Sequence, residues 1–401
     1  MLDTVSPSTE PIPLAGWARS LQPSAIQDML ALLARPGLLS FALGLPAAEL
    51  FPKEHFAQAV AQVVSNDPVA FQYQPTLRPL KTHIVRLMQQ RGVTCCEEQV
   101  FITTGAQQAM NLLIHLLLDP GGQVLTEEII YSGLQQAIAP FQPEILTVST
   151  DLETGVDVDA VEALLASGAR PAFMYAMSAG HNPLSISMSA EKRSRLVELA
   201  RRYHMPILED DAYGFLYYDG QGAPPMRALD DQWVFYLGSF SKTLMPTLRV
   251  GWLIVPEELI EKLSVIKESS DINTSTFTQR AICAYLDAGH LPAHLDTLRQ
   301  EYGIRRDAMH AALERHFPRE ARWKKPSHGM FFWVELPSTV DTGEALRVAV
   351  EQENVAFIPG HAFAVGNSRQ GANCMRLNFS NCPPELIEEG IGRLGRVLRS
   401  L

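Results

Sequence analysis

Between about residue 51 and about residue 285 the chain alternates two kinds of segment, and no other feature of the sequence restricts its fold so strongly. Helix-patterned stretches at Phe56 to Val64, Leu80 to Gln90, Gln107 to Leu118, Val158 to Ala166 and Ala190 to Tyr203 are interleaved with short apolar runs. Those runs include Val124–Leu125, Ala172–Met174, Pro206–Leu208, Trp233–Leu237 and Val250–Val255. Alternation of this kind predicts an α/β fold with a mainly parallel sheet between helices. Ligands of such sheets bind beyond the carboxyl ends of the strands. A second unit starts near residue 291, with a helix pattern over Leu295 to His316, a strand over Met330 to Leu336 and a closing helix from Pro384 to Leu401. Ahead of both, Ser6 to Pro13 reads as a Pro-rich arm, and Gln27 to Leu33 as a short helix ended by the Arg35-Pro36-Gly37 turn.

Two units of this size are compatible with 401 residues of which 46% are hydrophobic and 19% charged. The formal net charge of −11 disfavours wholesale binding to nucleic acid or an anionic membrane, which want clustered Lys and Arg. Cys95, Cys96, Cys283, Cys374 and Cys382 show no CxxC pair or metal-ligand spacing, and their odd number reads as free thiols in a reduced compartment. The apolar run Met110 to Leu118 is interrupted by His115 and is too short to span a bilayer. The first twenty residues hold Asp3, Glu10 and three prolines with no basic segment leading an apolar core, so no secretion signal is expected and the cytoplasm is the expected location.

Chemistry concentrates at the ends of two apolar runs. One leads through Leu237-Gly238-Ser239-Phe240-Ser241 into Lys242, with Arg249 seven residues on. A lysine condenses with an aldehyde, and hydroxyls beside an arginine suit a phosphate ester. The other run, Pro206-Ile207-Leu208, leads straight into Glu209, Asp210 and Asp211. Neighbouring strands would deliver the acid and the amine to one sheet edge. An isolated acidic pair more often merely opens a loop; beside the lysine segment we read it as functional. Thr104-Gly105-Ala106-Gln107 opens a helix, where free backbone N–H groups can meet an anion. Taken singly, His181, His328 and His361 read as polar loop residues rather than as acid or base groups.

These segments, with Ser40 to Pro46, Glu49 to Pro52 and Met375 to Ser380, fall in the order found in fold-type I pyridoxal phosphate enzymes. Over nearly its whole length the chain resembles the class I/II aminotransferases of the aminoadipate and kynurenine type. The resemblance implies a large pyridoxal-phosphate-binding domain over 51–290 with a mainly parallel seven-stranded sheet. A smaller α+β domain over 291–401 would be joined by part of 1–50. It implies that Lys242 holds the cofactor as a Schiff base and moves a proton from the substrate Cα. Asp210 would bind the ring nitrogen and keep it protonated, so that the ring accepts the electrons left by bond cleavage. Tyr213 and Asn182 would hydrogen-bond the phenolic oxygen, and Tyr131 would stack on the ring. Gly105, Ala106, Gln107, Ser239, Ser241 and Arg249 would hold the phosphate. Tyr73 would reach the phosphate of a neighbouring subunit in a homodimer with shared active sites. Arg376 would grip the substrate α-carboxylate with its two-pronged face, with Asn182, Gln27 and Gly44 also on the substrate side.

The chain departs from its relatives in four places. Asn182-Pro183-Leu184-Ser185 stands where many read Asn-Pro-Thr-Gly, and Ser178 to His181 differ before it. The segment after Tyr73 is two residues shorter, and Ser327-His328 replaces a glycine-rich pair. Gln27 sits where relatives acting on acidic substrates carry an arginine, so a non-acidic L-amino acid donor is expected unless Arg19 or Arg78 substitutes. Transamination to a 2-oxo acid is the first reading. The altered loop motivates an alternative, elimination, replacement or cyclisation on a specialised amino acid in a biosynthetic pathway. Ser239-x-x-Lys242 also fits the pattern of penicillin-recognising acyl enzymes, but their Ser-Asp-Asn and Lys-Thr-Gly elements are missing. A transcription regulator carrying such a domain would place a basic DNA-binding domain ahead of it, and the resemblance begins too near Met1 for one.

Overall fold

A computed structural model describes residues 12–20, 35–220, 222–366 and 368–400. The helix expected over Gln27 to Leu33 lies outside the described residues, as does the Ser6 to Pro13 arm except for its last two residues.

Seven strands form the central sheet: β1 (Val100–Thr103), β2 (Gln123–Glu127), β3 (Glu144–Val148), β4 (Phe173–Ala176), β5 (Ile207–Asp210), β6 (Val234–Ser239) and β7 (Gly251–Ile254). Their spatial order is β1-β7-β6-β5-β4-β2-β3. All neighbours are parallel except β7, which runs antiparallel to both β6 and β1. The five apolar runs singled out in the sequence are β2, β4, β5, β6 and β7. Every residue of β4, β5, β6 and β7 is buried, as a sheet covered by helices on both faces requires. The strands β1 and β3, at the two sheet edges, are not among those runs, although β1 is as fully buried as the central strands. In β3 the exposed Glu144 and Thr147 break the apolar signal.

Helices expected at Val158–Ala166 and Ala190–Tyr203 occur with those bounds. Each starts on a side-chain cap: Asp157 accepts from the Ala160 N–H, and Ser189 from the Lys192 N–H. The alternation misses three helices, Ser132–Ile138, Ile260–Asp271 and Thr276–Asp287.

Beyond residue 291 come the long helix Leu291–His316 and a four-stranded antiparallel sheet of β8 (Arg322–Trp323), β9 (Phe331–Glu335), β10 (Ile358–Pro359) and β11 (Cys374–Asn378), in the order β8-β9-β11-β10. The closing helix Pro384–Ser400 packs on Leu291–His316. Leu39–Ser40 pairs with Val355–Ala356, so the start of the described chain is stitched to its last third.

Close packing between β6 and β7 fixes the strand that leads to Lys242. Gly238 and Trp252 are cross-strand partners, and a Cβ at Gly238 would fall inside the Trp252 indole. Overpacking of a tight core typically costs about 1–3 kcal/mol. Gly238→Ala is therefore expected to lower the urea unfolding midpoint by that amount of stability, and an unchanged midpoint contradicts this packing.

Candidate active site

The parallel strands end on one edge of the sheet, and β7, running the other way, begins there. Thr104 to Gln107 follow β1, Tyr131 follows β2, Asn182 follows β4, Asp210 closes β5, Lys242 follows β6 and Arg249 precedes β7. These connections wall a cavity of about 360 Å³, closed on the other side by Leu43 to Leu45, Phe331 and Arg376.

Lys242 Nζ donates to the Gly44 carbonyl at 2.6 Å. Burial, then the nearby Arg376 and Arg249, lower its pKa to about 8, so a neutral, nucleophilic minority is present near physiological pH, far more than at the ordinary lysine value. Asp210 is buried in the cavity wall. Its Oδ2 accepts from the Tyr175 hydroxyl at 2.8 Å, while Oδ1 is buried with no partner among the described residues. Burial pushes this carboxyl up to about 6, opposed by the Tyr175 hydrogen bond and reinforced by Asp211.

Arg376 comes from β11 and is buried. Its Nη1 donates to Asn182 Oδ1 and its Nη2 to the Ala42 carbonyl, each at 2.6 Å. The guanidinium lies over the rings of Phe331 (4.2 Å) and Phe363 (4.7 Å). Burial depresses it to about 10, against the pull of Tyr213 and Tyr131. Because Arg376 occupies the Asn182 oxygen, the Asn182 amide N–H group remains as a donor for the cavity. Tyr213 stands edge-on to Phe331, with ring centroids 5.8 Å apart, and burial pushes its phenol up. Tyr131 packs against Gly133, where any Cβ would collide with its ring, and its hydroxyl donates to Gln107 Oε1 at 3.4 Å.

The turn from β1 into the Ala106–Leu117 helix forms a cup. Gly105 takes φ +86°, and a Cβ there would sit 2.6 Å from Arg249 Nη2. Arg249, itself at φ +49°, donates from Nη1 to Ser241 Oγ at 3.3 Å and from Nη2 to the Thr104 carbonyl at 3.4 Å. Ser239 Oγ accepts from the Ser241 N–H at 3.1 Å. The first N–H groups of the helix have no intrahelical acceptor, so the cup presents donors beside a cation.

Lys242, Arg249 and Arg376 have no ion-pair partner among the described residues, and Asp210 Oδ1 has no donor. This combination fits pyridoxal phosphate. Its phosphate would meet the cup and Arg249, its protonated ring nitrogen would satisfy Asp210 Oδ1, its phenolic oxygen would meet Tyr213 and Asn182, and its aldehyde suits Lys242.

The fold thus brings together Lys242, Asp210, Tyr213, Ala106, Gln107, Tyr131, Asn182, Ser239, Ser241, Arg249, Arg376 and Gly44 around one cavity, with Gly105 behind Arg249. It does not bring in Tyr73, which is 80% exposed and outside the cavity. Gln27 lies outside the described residues. Tyr175 escaped the sequence reading. The one usable signal was its place in an apolar strand beside the acid-bearing one, where pairing with Leu208 puts it on the same face as Asp210.

His181 and His328 lie in loops as expected, but both are buried. His181 Nε2 meets Glu127 Oε2 at 3.1 Å, and its Nδ1 accepts from the Leu184 N–H. In the altered loop Ser185 takes φ +61°, and its N–H donates to the His181 carbonyl at 2.6 Å. The loop around Asn182 is therefore held by His181 and Glu127. His328 Nδ1 meets Ser327 Oγ and Ser187 Oγ, and burial lowers its pKa to about 4. Away from the cavity the fold also groups His83, Cys283 and Asp287, which the sequence spacing did not reveal. The five cysteines are free thiols. Among the described residues no helix is long and apolar enough to cross a membrane.

Residues 42–394 match the family described as aminotransferase class I and II. The chain belongs to that family. It is 38% identical to the 2-aminoadipate transaminase of Thermus thermophilus, over 96% of each chain. It is 36% identical to aromatic-amino-acid aminotransferase 1 of Thermococcus litoralis, over 95% of this chain and 93% of that one. Among solved structures, the α-aminoadipate aminotransferase LysN of Thermus thermophilus, complexed with N-(5'-phosphopyridoxyl)-L-leucine, superposes with a TM-score of 0.89 at 36% identity, covering 96% of this chain and 97% of that one. The fold is accordingly that of the fold-type I enzymes, the cofactor is pyridoxal phosphate and the reaction is transamination of amino acids.

In the cofactor-free aminotransferase Lys242 is expected to titrate near 8 rather than at its ordinary 10.5. Reductive methylation followed by peptide mapping should show half-maximal labelling of Lys242 near that pH, and Arg376→Met should move the midpoint upward. A wild-type midpoint at the ordinary value contradicts the electrostatic account of the site.

Proposed function

We propose that this aminotransferase takes its amino group from L-amino acids with uncharged side chains and passes it to a 2-oxo acid. One observation carries the proposal. Among the described residues the cavity holds three cations, Lys242, Arg249 and Arg376, and each already has a task. The rest of its wall is largely apolar, with Leu43, Leu45, Met110, Met177 and Phe331. The substitutes considered for an acidic side chain lie elsewhere: Arg78 pairs with Glu97 in another groove, and Arg19 is exposed with its Nε on the Leu14 carbonyl. The two named relatives divide between an acidic and an aromatic substrate, so the charge in the pocket discriminates between them.

When bound, pyridoxal phosphate supplies an electron sink for cleavage of a bond to the substrate Cα. In our reading Asp210, steered by Tyr175, holds the ring nitrogen and its proton. Tyr213 and the Asn182 amide donate to the phenolic oxygen, and Tyr131 covers the ring face. Gly105, Ala106, Gln107, Ser239, Ser241 and Arg249 anchor the phosphate. Arg376 receives the substrate α-carboxylate on its two-pronged face and orients Cα toward Lys242. The Lys242 amine then removes the Cα proton, a task suited to a base whose pKa lies near the working pH.

We further propose a homodimer. Tyr73, Phe71 and Ile272 are 80%, 68% and 62% exposed, and Phe71 stacks on Phe277 with centroids 5.6 Å apart. A second copy over this apolar ground would bury it and bring Tyr73 to the neighbouring phosphate. The division into 1–50, 51–290 and 291–401 is kept as a proposal, supported by the separate four-stranded sheet and by the Leu39–Ser40 pairing. A cytoplasmic location is proposed from the five free thiols.

Mixing the purified enzyme with a panel of amino acids and following the cofactor tests the reading. Accumulation of pyridoxamine phosphate with apolar or aromatic donors supports it, whereas retention of the aldehyde form with a modified amino acid supports the elimination or cyclisation alternative. Lys242→Ala is expected to lower turnover by at least about 10²-fold, the scale of losing a general base. Gln27→Arg should improve use of dicarboxylic donors about tenfold, the order expected for one added charge-assisted hydrogen bond; no gain with such donors counts against the specificity argument.

A further inference from the structure

Behind the phosphate cup, on the side away from the cavity, one carboxylate collects three donors. Asp271, the last residue of the Ile260–Asp271 helix, accepts from Lys267 Nζ on Oδ1 and from Thr104 Oγ1 and Gln108 Nε2 on Oδ2, each at 2.7 Å. The Gln108 carbonyl oxygen in turn accepts from Lys267 Nζ and from the Thr104 N–H, both at 2.8 Å. With the Thr104 carbonyl on Arg249, every hydrogen-bonding group of Thr104 is engaged, its N–H and hydroxyl from outside the cup. Thr104 immediately precedes Gly105, so its position sets where the free N–H groups of the helix aim.

The chain leaves Asp271 through an unusual turn. Ile272 has φ +62° and ψ −62°, and the Asn273 N–H donates back to the Asp271 carbonyl at 2.6 Å. This is a γ-turn of the strained hand, centred on a β-branched residue that seldom adopts positive φ. The turn sets Thr274 Oγ1 3.1 Å from Thr104 Oγ1 and lets Asn273 Nδ2 donate to the Gln74 carbonyl at 2.8 Å. Gln279 completes the link: its Nε2 donates to the Thr274 carbonyl at 2.8 Å, and its Oε1 accepts from the Leu77 N–H at 3.1 Å. A continuous hydrogen-bonded path thus runs from the cup to the segment Gln74–Leu77 that follows Tyr73.

We propose that Asp271 is a positioning residue for the phosphate cup and that the turn at Ile272 couples filling of the cup to the order of the Gln74–Leu77 segment. The inference rests on the cofactor assignment. It also suits the shortened sequence after Tyr73: with less chain available there, Asn273 and Gln279 hold the segment in place. Only an acid meets the donor set at 271. An Asn amide would keep one acceptor and turn its N–H group either toward the Lys267 ammonium or toward the Thr104 and Gln108 donors.

The test compares the wild type with Asp271→Asn, using pyridoxal phosphate and unphosphorylated pyridoxal as probes. The variant is expected to bind pyridoxal phosphate about tenfold more weakly, on the scale of one charge-assisted hydrogen bond, while its affinity for pyridoxal stays unchanged. In the wild type, loading with pyridoxal phosphate should slow hydrogen exchange over residues 74–77, and in Asp271→Asn it should not. Equal weakening for both probes, unchanged affinity for both, or no exchange response in the wild type overturns the proposal. Thr104→Val, which removes one donor and keeps the shape, provides the same comparison should Asp271→Asn fail to fold. A wild type unable to bind pyridoxal phosphate at all refutes the cofactor assignment instead.

Discussion

Charges gathered in one cavity without permanent partners are what the rest of this structure serves. Lys242, Arg249 and Arg376 share one cavity, where bringing like charges together is costly, and among the described residues no acid neutralises them. Burial lowers the proton affinity of both Lys242 and Arg376, and for Lys242 the repulsion of Arg376 and Arg249 adds to it. A buried carboxyl with one unpartnered oxygen faces them. Such a site is incomplete until a ligand brings negative charge at one end and an N–H donor at the other. Rigid, buried strands make this arrangement tolerable: Asp210 closes β5, Arg376 lies on β11, and Lys242 and Arg249 sit in the connection between β6 and β7.

Much of the architecture was legible because buried parallel strands announce themselves as short apolar runs, and the helices between them carry side-chain caps such as Asp157 and Ser189. The edge strands were not legible. Val100–Thr103, though apolar and fully buried, was not singled out, and in Glu144–Val148 the exposed Glu144 and Thr147 interrupt the apolar run. In the site, residues that end a strand or open a helix could be found from neighbouring sequence. Tyr175 could not, because its role depends on the register between two strands separated by a long crossover. The burial of His181 was equally hidden, since Glu127 is 54 residues away.

The loop at Asn182 shows how a departure in sequence can leave a function in place. Ser185 adopts the left-handed conformation for which a glycine is the easier choice, at a cost that local hydrogen bonds from its own N–H and hydroxyl help to offset. His181, wedged against Glu127, fixes the approach to the loop. Asn182 is consequently still presented to Arg376 in one orientation, with its donor side free.

The contact between Gly105 and Arg249 has a consequence for how such a chain can change over time. Each occupies the volume the other would need, so neither can drift alone: a methyl group at 105 evicts the guanidinium, while a shorter cation at 249 would leave a gap beneath the turn and the Thr104 carbonyl unanswered. The pair forms a single heritable unit spread across 144 residues of sequence. Swapping one half between distant relatives would be tolerated only if the other half travelled with it.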